Sequence, residues 1–237
     1  MTHWYNKIKV FYDGTNIDEY NHLDYIKGFT TNPSLMNNSN LIEKKYKNFA
    51  LNMLNKSNNL PVSFEVFADE PEEMIKEARE ISSWHNSIYV KIPIVNSKGI
   101  SSRYVIEQLN SENIKLNITA IFSIEQIKTA FDSLKNKDIP NIISVFAGRI
   151  ADTGVDATFY IKYAHELSKN NQNIEILWAS VREVHNIFEA IESKCDIITI
   201  PDSILKKTSN IGKNLEHFSL ETVNMFLNDS KKSGVTF

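Results

Sequence analysis

The sequence predicts an α/β fold, a (β/α)8 TIM barrel spanning residues 1–237 as a single domain, with an extra C-terminal helix. Three observations predict it. Eight short runs rich in Val, Ile, Phe and Tyr alternate with segments whose apolar residues recur at helical spacing. Strands separated by helices must run parallel, and eight parallel strands close into a barrel. The first strand leads into Asp13-Gly14-Thr15-Asn16 and not a G-x-G-x-x-G phosphate turn, which weighs against a doubly wound open sheet.

In order, Lys9 to Asp13 reads as a strand ending in an acid. Gly14-Thr15-Asn16 then turns the chain into a short helix running to about Ile26. Gly28 to Pro33 reads as the second strand, which Pro33 forbids from continuing. Ser34 or the Asn37-Asn38-Ser39-Asn40 run can cap a helix from roughly Leu41 to Asn55. The third strand is Leu60 to Phe67, with Glu65 inside it. Pro71 opens a helix through about Trp84, with Met74, Ile75, Ala78, Ile81 and Trp84 on one face. Ser87 to Ile94 is the fourth strand and the most apolar, with a helix from Ser101 to Asn110 behind it. Lys115 to Phe122 is the fifth, and Ser123 with Gln126 can cap the helix ending near Leu134. Asn141 to Ala147 is the sixth, followed by Gly148-Arg149, a loop, and a helix from about Ala157 to Ser168. Asn173 to Ala179 is the seventh, followed by Ser180-Val181-Arg182 and a helix through about Ser193. Cys195 to Ile200 is the eighth, stopped by Pro201, and a last helix runs from about Ser219 to Lys231.

Composition narrows the class. A net charge of −3 and a pI near 6.1 leave no electrostatic footprint for nucleic acid, and no basic run suggests a membrane surface. The start lacks the apolar core of a signal peptide, and no apolar run reaches membrane-spanning length. The lone Cys195 excludes an internal disulfide and suits a reducing compartment, so the expected location is cytoplasmic. The six histidines show no metal-ligand spacing, and neither a metal nor another cofactor is expected.

Polar residues fall where the strands end. Asp13, Asn32, Glu65, Lys91, Asn117 with Thr119, Ser144, and Ser180 with Arg182 lie in or just beyond the C-terminal halves of different strands. A barrel builds its active site at that face. Lys91 is the most informative, because a lysine inside an apolar strand either snorkels out to solvent or sits buried for a reason. An amine in an apolar pocket loses solvation of its charged form, which lowers its pKa and exposes the nucleophile. Such an amine attacks a ketone to give a carbinolamine and then an iminium ion that acts as an electron sink. Breaking the adjacent C–C bond needs a base and an acid, tasks that Asp13 and Glu65 can divide. Asn32, Asn117, Thr119 and Ser144 offer neutral hydrogen bonds for sugar hydroxyls. Arg149 and Arg182 offer two forks for a phosphate, against the plainer readings of a surface ion pair and a charged first helical turn.

These residues sit in segments that resemble the transaldolase family of Schiff-base-forming barrels: Phe29-Thr30-Thr31-Asn32-Pro33-Ser34-Leu35, Tyr89-Val90-Lys91-Ile92-Pro93, Leu116 to Ser123, Ser144 to Ile150, and Ala179-Ser180-Val181-Arg182. They occur in family order across nearly the whole chain. The resemblance implies that Lys91 forms the Schiff base with a ketose phosphate and that Asp13 is the acid/base for the C3–C4 bond. Glu65 and Thr119 would hold the proton-shuttling water. Asn32, Asn117 and Ser144 would bind the dihydroxyacetone unit, and Arg149, Arg182 and Ser180 the acceptor's phosphate. The closely similar fructose-6-phosphate aldolases carry Gln where Glu65 stands and Tyr where Phe146 stands, so this chain resembles the transferases at both positions. The partners implied are sugar phosphates and further copies of the chain, through a C-terminal helix carrying Phe218, Leu220, Val223, Met225, Phe226 and Leu227. Two other readings stay open: an aldolase releasing free dihydroxyacetone, and a non-catalytic barrel that binds a sugar phosphate.

Overall fold

The computed structural model describes residues 3–38 and 45–235. Eight parallel strands form a closed barrel in chain order, β1 (Lys9–Asp13), β2 (Ile26–Thr30), β3 (Val62–Glu65), β4 (Ile88–Pro93), β5 (Leu116–Ile121), β6 (Asn141–Val145), β7 (Ile174–Trp178) and β8 (Ile197–Pro201), with β8 paired back to β1. Helices alternate with them: α1 (Pro33–Asn38), α2 (Tyr46–Lys56), α3 (Pro71–Ser83), α4 (Arg103–Ser111), α5 (Ile124–Ser133), α6 (Ala147–Ala151), α7 (Thr158–Ser168), α8 (His185–Glu192), α9 (Asp202–Leu205) and α10 (Leu215–Ser233). By internal contacts the described residues divide into two compact units, one ending at Leu205 and one beginning at Lys206.

Local chemistry explains most boundaries. The Ser123 hydroxyl accepts from the Gln126 amide while the Gln126 side chain accepts from the Ser123 amide, so α5 starts on the expected capping box. Pro71 occupies the first turn of α3 as expected. The first connection differs from expectation: a single 3-10 turn at Ile17–Glu19 replaces the helix to Ile26, and β2 begins at Ile26, not Gly28. Pro33 does more than end a strand. It opens α1, capped by Asn32, whose Oδ1 accepts from the Leu35 amide at 2.9 Å. Ser34 therefore lies inside that helix, and the Ser39–Asn40 part of the expected cap lies outside the described residues, as does Leu41. Gly148-Arg149, expected to lead into a loop, lie inside the short helix α6, and α10 begins at Leu215, where the Asn214 side chain accepts from the His217 amide.

The core has two parts. A large apolar layer lies between strands and helices, and a smaller cluster of Phe11, Tyr89, Ile142, Leu177, Ala179 and Ile197 comes from the strands and the β7 end. Since strand side chains alternate faces, that cluster marks the inward positions of β1, β4, β6, β7 and β8. A Cβ on Gly28 would meet the Phe11 ring at 2.5 Å, so β2 leaves room for this plug. Two residues further along the same strands the inward positions become Asp13, Thr30, Lys91, Ser144 and Thr199. An apolar floor with a polar layer above it is the platform of the candidate site.

In the second unit, no residue of α10 is buried, and Gly234 ends it in the left-handed conformation with φ 68°.

Candidate active site

Lys91 does not snorkel. It is 6% exposed, and its Nζ donates to the Thr31 carbonyl at 2.8 Å and lies 3.1 Å from Glu65 Oε2. The strand register makes this pairing, because Glu65 on β3 stands directly beside Lys91 on β4. The sequence suggests an apolar pocket for this amine, and the structure differs. The walls of β4 are apolar, but the amine ends among a carbonyl and a carboxylate.

Asn117 on β5 is the register partner of Lys91 on the other side. It is fully buried, donates through Nδ2 to Ser63 Oγ at 3.1 Å, and accepts from Ser144 Oγ at 2.7 Å. Thr119, two residues on, is 2% exposed, and its Oγ1 meets no hydrogen-bond partner among the described residues. A buried hydroxyl without a partner marks a place for a water or a ligand oxygen. Directly after it β5 departs from regular geometry: its pairing with β6 shifts register between Ile118 and Ile121, and Ala120 takes a left-handed φ of 58°. A bulge of this kind re-aims the neighbouring side chain.

Asp13 ends β1 opposite Thr30 of β2, whose hydroxyl donates to Asp13 Oδ1 at 2.8 Å. Burial holds the Asp13 carboxyl above its ordinary value of 3.8, against opposing pulls from the Lys91 charge and the Thr30 hydrogen bond, with Glu65 adding a smaller push upward.

The remaining groups lie on the loops after β6 and β7. Phe146 precedes α6; its ring centre is 5.5 Å from that of Phe122, and the Arg149 guanidinium carbon sits 5.7 Å from it. Arg182 is exposed and gives Nε and Nη2 to Asp152 Oδ2 at 3.1 and 2.7 Å. Ser180 adopts a left-handed φ of 64°, and a Cβ on Gly148 would stand 1.6 Å from its carbonyl oxygen. Only glycine allows these two loops to approach so closely. Asn32 spends its Oδ1 on the α1 cap.

Sequence reasoning missed Ser63, Thr30, Thr199 and Asp152, as well as the Thr31 carbonyl. The signal for the first three was the two-residue alternation along each strand, which places Ser63, Thr30 and Thr199 on the same faces as Glu65, Gly28 and Ile197. Cys195 is buried and its thiol is pushed up by that burial, in keeping with a packing role. No described helix is long and apolar enough to cross a membrane, and no cluster of three or more His, Cys, Asp or Glu side chains is placed among the described residues to hold a metal.

The chain is similar to known proteins over most of its length. Residues 10–236 match the family described as transaldolase/fructose-6-phosphate aldolase. A protein of Methanococcus maripaludis named probable transaldolase is 34% identical over 209 residues, covering 86% of this chain and 90% of that relative. A Bartonella tribocorum protein of the same name is 34% identical over 233 residues, covering 96% and 98%. A third, from Clostridium acetobutylicum, is 32% identical over 206 residues, covering 84% and 89%. With a closed parallel barrel, a lysine buried at its polar end and a match across nearly all of its length, the chain belongs to the transaldolase/fructose-6-phosphate aldolase family.

Proposed function

We propose that this protein is a transaldolase that moves a dihydroxyacetone unit from a ketose phosphate to an aldose phosphate through a Schiff base on Lys91. The observation that carries the reading is the buried Lys91 amine 3.1 Å from the Glu65 carboxylate, inside a ring of hydrogen-bonding groups. Glu65 takes a proton from the amine, which then attacks the ketose C2 carbonyl to form a carbinolamine. Loss of water gives the iminium, with Glu65 returning the proton through a water held at the open Thr119 hydroxyl. Asp13 accepts the proton of the C4 hydroxyl; the O–H electrons form the new carbonyl, the C3–C4 bond breaks, and its electrons enter the iminium to give an enamine. The aldose phosphate leaves, a second one enters, and the steps reverse.

Asn32, Asn117 and Ser144 fit the three-carbon unit, with Ser63 behind Asn117 fixing its amide. Arg149, Arg182 and Ser180 fit the phosphate, which would share the Arg182 fork with Asp152. Phe146 supports transfer over simple cleavage, since it presents no hydroxyl to protonate the enamine. The same reading takes residues 1–237 as a single functional domain, cytoplasmic, using no cofactor, and assembled with further copies of itself. The exposed apolar side chains of α10, Phe218, Leu220, Val223, Met225, Phe226 and Leu227, support that last point.

Borohydride reduction in the presence of fructose 6-phosphate should add a three-carbon mass to the Lys91 peptide, and Lys91→Ala should lose it. Turnover should require an added acceptor such as erythrose 4-phosphate. Free dihydroxyacetone released at full rate without acceptor would instead assign the aldolase, and no adduct with any ketose phosphate would leave only a binding barrel.

A further inference from the structure

Behind Asp13 lies a second hydroxyl that the mechanism above does not use. Thr199 of β8 is 4% exposed, and its Oγ1 is 2.5 Å from Thr30 Oγ1. Strand β1 runs between β2 and β8, so the two threonines reach across the inside of the barrel from either side of the strand that carries Asp13. The polarity of this chain follows from the chemistry of its members. A carboxylate can only accept, so the single Thr30 proton is committed to Asp13 Oδ1, and in the Thr30–Thr199 contact the donor must be Thr199. Two hydroxyls in series polarise one another and strengthen the bond at the carboxylate.

We propose that Thr199 is a positioning residue for Asp13, which through Thr30 holds Oδ1 as the fixed oxygen and leaves Oδ2 as the oxygen that takes the substrate proton. The assignment rests on the reading of Asp13 as acid/base. Protonation at Oδ2 leaves Oδ1 a carbonyl oxygen that still accepts from Thr30, so the chain stays as it is. Protonation at Oδ1 would force both threonines to turn. Cleavage therefore moves one proton from the C4 hydroxyl to Oδ2, and the hydroxyl chain transfers none. Among the described residues, the charged groups that act on Asp13 are Lys91 from β4 and Glu65 from β3, and both are retained in a Thr199 variant. Removal of the Thr199 hydroxyl should weaken the Thr30 donor and make the Asp13 carboxylate harder to form.

The test compares Thr199→Val, which keeps the shape, with Thr199→Ser, which keeps the hydroxyl. The carboxyl of Asp13 is titrated by 13C NMR in the unliganded protein and assigned by its absence in Asp13→Asn. The Val variant should titrate about 0.5 to 1 pH unit higher than wild type, the size of one modest hydrogen bond, and Ser should restore it. The acidic limb of kcat/KM for the ketose phosphate should move up by the same amount, while borohydride trapping of dihydroxyacetone on Lys91, which needs no C–C cleavage, proceeds at the wild-type rate. If Val does not fold, Thr199→Ala serves with the same expectation. An unmoved Asp13 titration, or a Ser variant as altered as Val, overturns the proposal. The titration needs no turnover, so a wild-type protein that traps no ketose phosphate would refute the proposed activity separately.

Discussion

Asp13 carries its charge among neutral hydroxyls, with one cation and one anion facing it, and burial raises its carboxyl above 3.8. Below pH 3.8 the folded and unfolded chains both hold this proton. Between 3.8 and the raised value only the folded chain does, so the stability that Asp13 contributes falls as pH rises through that interval. Above it the fold keeps a desolvated carboxylate. Asp13→Asn is therefore expected to gain stability over wild type on going from pH 3 to pH 7, measured by denaturant midpoints, while losing C–C cleavage. Glu65→Gln removes the proton acceptor beside Lys91 and should lower kcat by about 10² or more, the usual worth of general acid–base catalysis, without changing the fold. Asn117→Ala would strand the Ser63 and Ser144 hydroxyls in the barrel, at a cost of about 1–3 kcal/mol in thermal or chemical unfolding. Lys91, Asp13, Glu65 and Asn117 were legible in the sequence because a charge or amide in an apolar strand is unusual. Thr30, Ser63 and Thr199 were not, because a hydroxyl residue in a strand is ordinary until its facing and partners are known.

At the scale of the elements, alternation delivered the eight strands and most of the helices, and errors gathered where short-range chemistry chose among turns. The α1 helix is an example. Pro33 reads as a strand terminator from the sequence, yet proline is equally suited to the first turn of a helix, and the Asn32 cap selects the helix. The β5 bulge left no mark on the sequence, since Ala120 is not the glycine that a left-handed residue usually implies. The contact between Gly148 and Ser180 joins the loops that carry Arg149 and Arg182. Gly148→Ala would place a methyl within 1.6 Å of the Ser180 carbonyl and force the loops apart. A shift near 1 Å can cost about 10² in rate, so this variant should raise KM for a phosphorylated acceptor more than for its unphosphorylated analogue, with a lowered melting temperature.

For the whole molecule, closing the barrel removes every strand edge and brings the ends of all strands to one face, which is how residues as distant in sequence as Asp13, Lys91 and Thr199 share one polar layer. The exposed apolar residues of α10 have the opposite character. Phe226 is 62% exposed, with Val223 and Leu220 similarly open. If these residues meet another copy of the chain, Phe226→Asp should shift sedimentation from a larger to a smaller species while leaving the barrel's melting transition in place. A wild-type protein that sediments as a monomer at all concentrations would contradict assembly.

The barrel, the order of its strands and an out-of-place Lys91 could be read along the chain, because hydrophobic periodicity and a misplaced charge are local properties that can be counted residue by residue. Whether that lysine is buried, and what each polar group touches, follows from the folded arrangement alone. The Lys91–Glu65 pair, the Asn117 network and the Thr199–Thr30–Asp13 chain depend on strand register across the barrel, and register is set by how side chains pack between strands far apart in sequence.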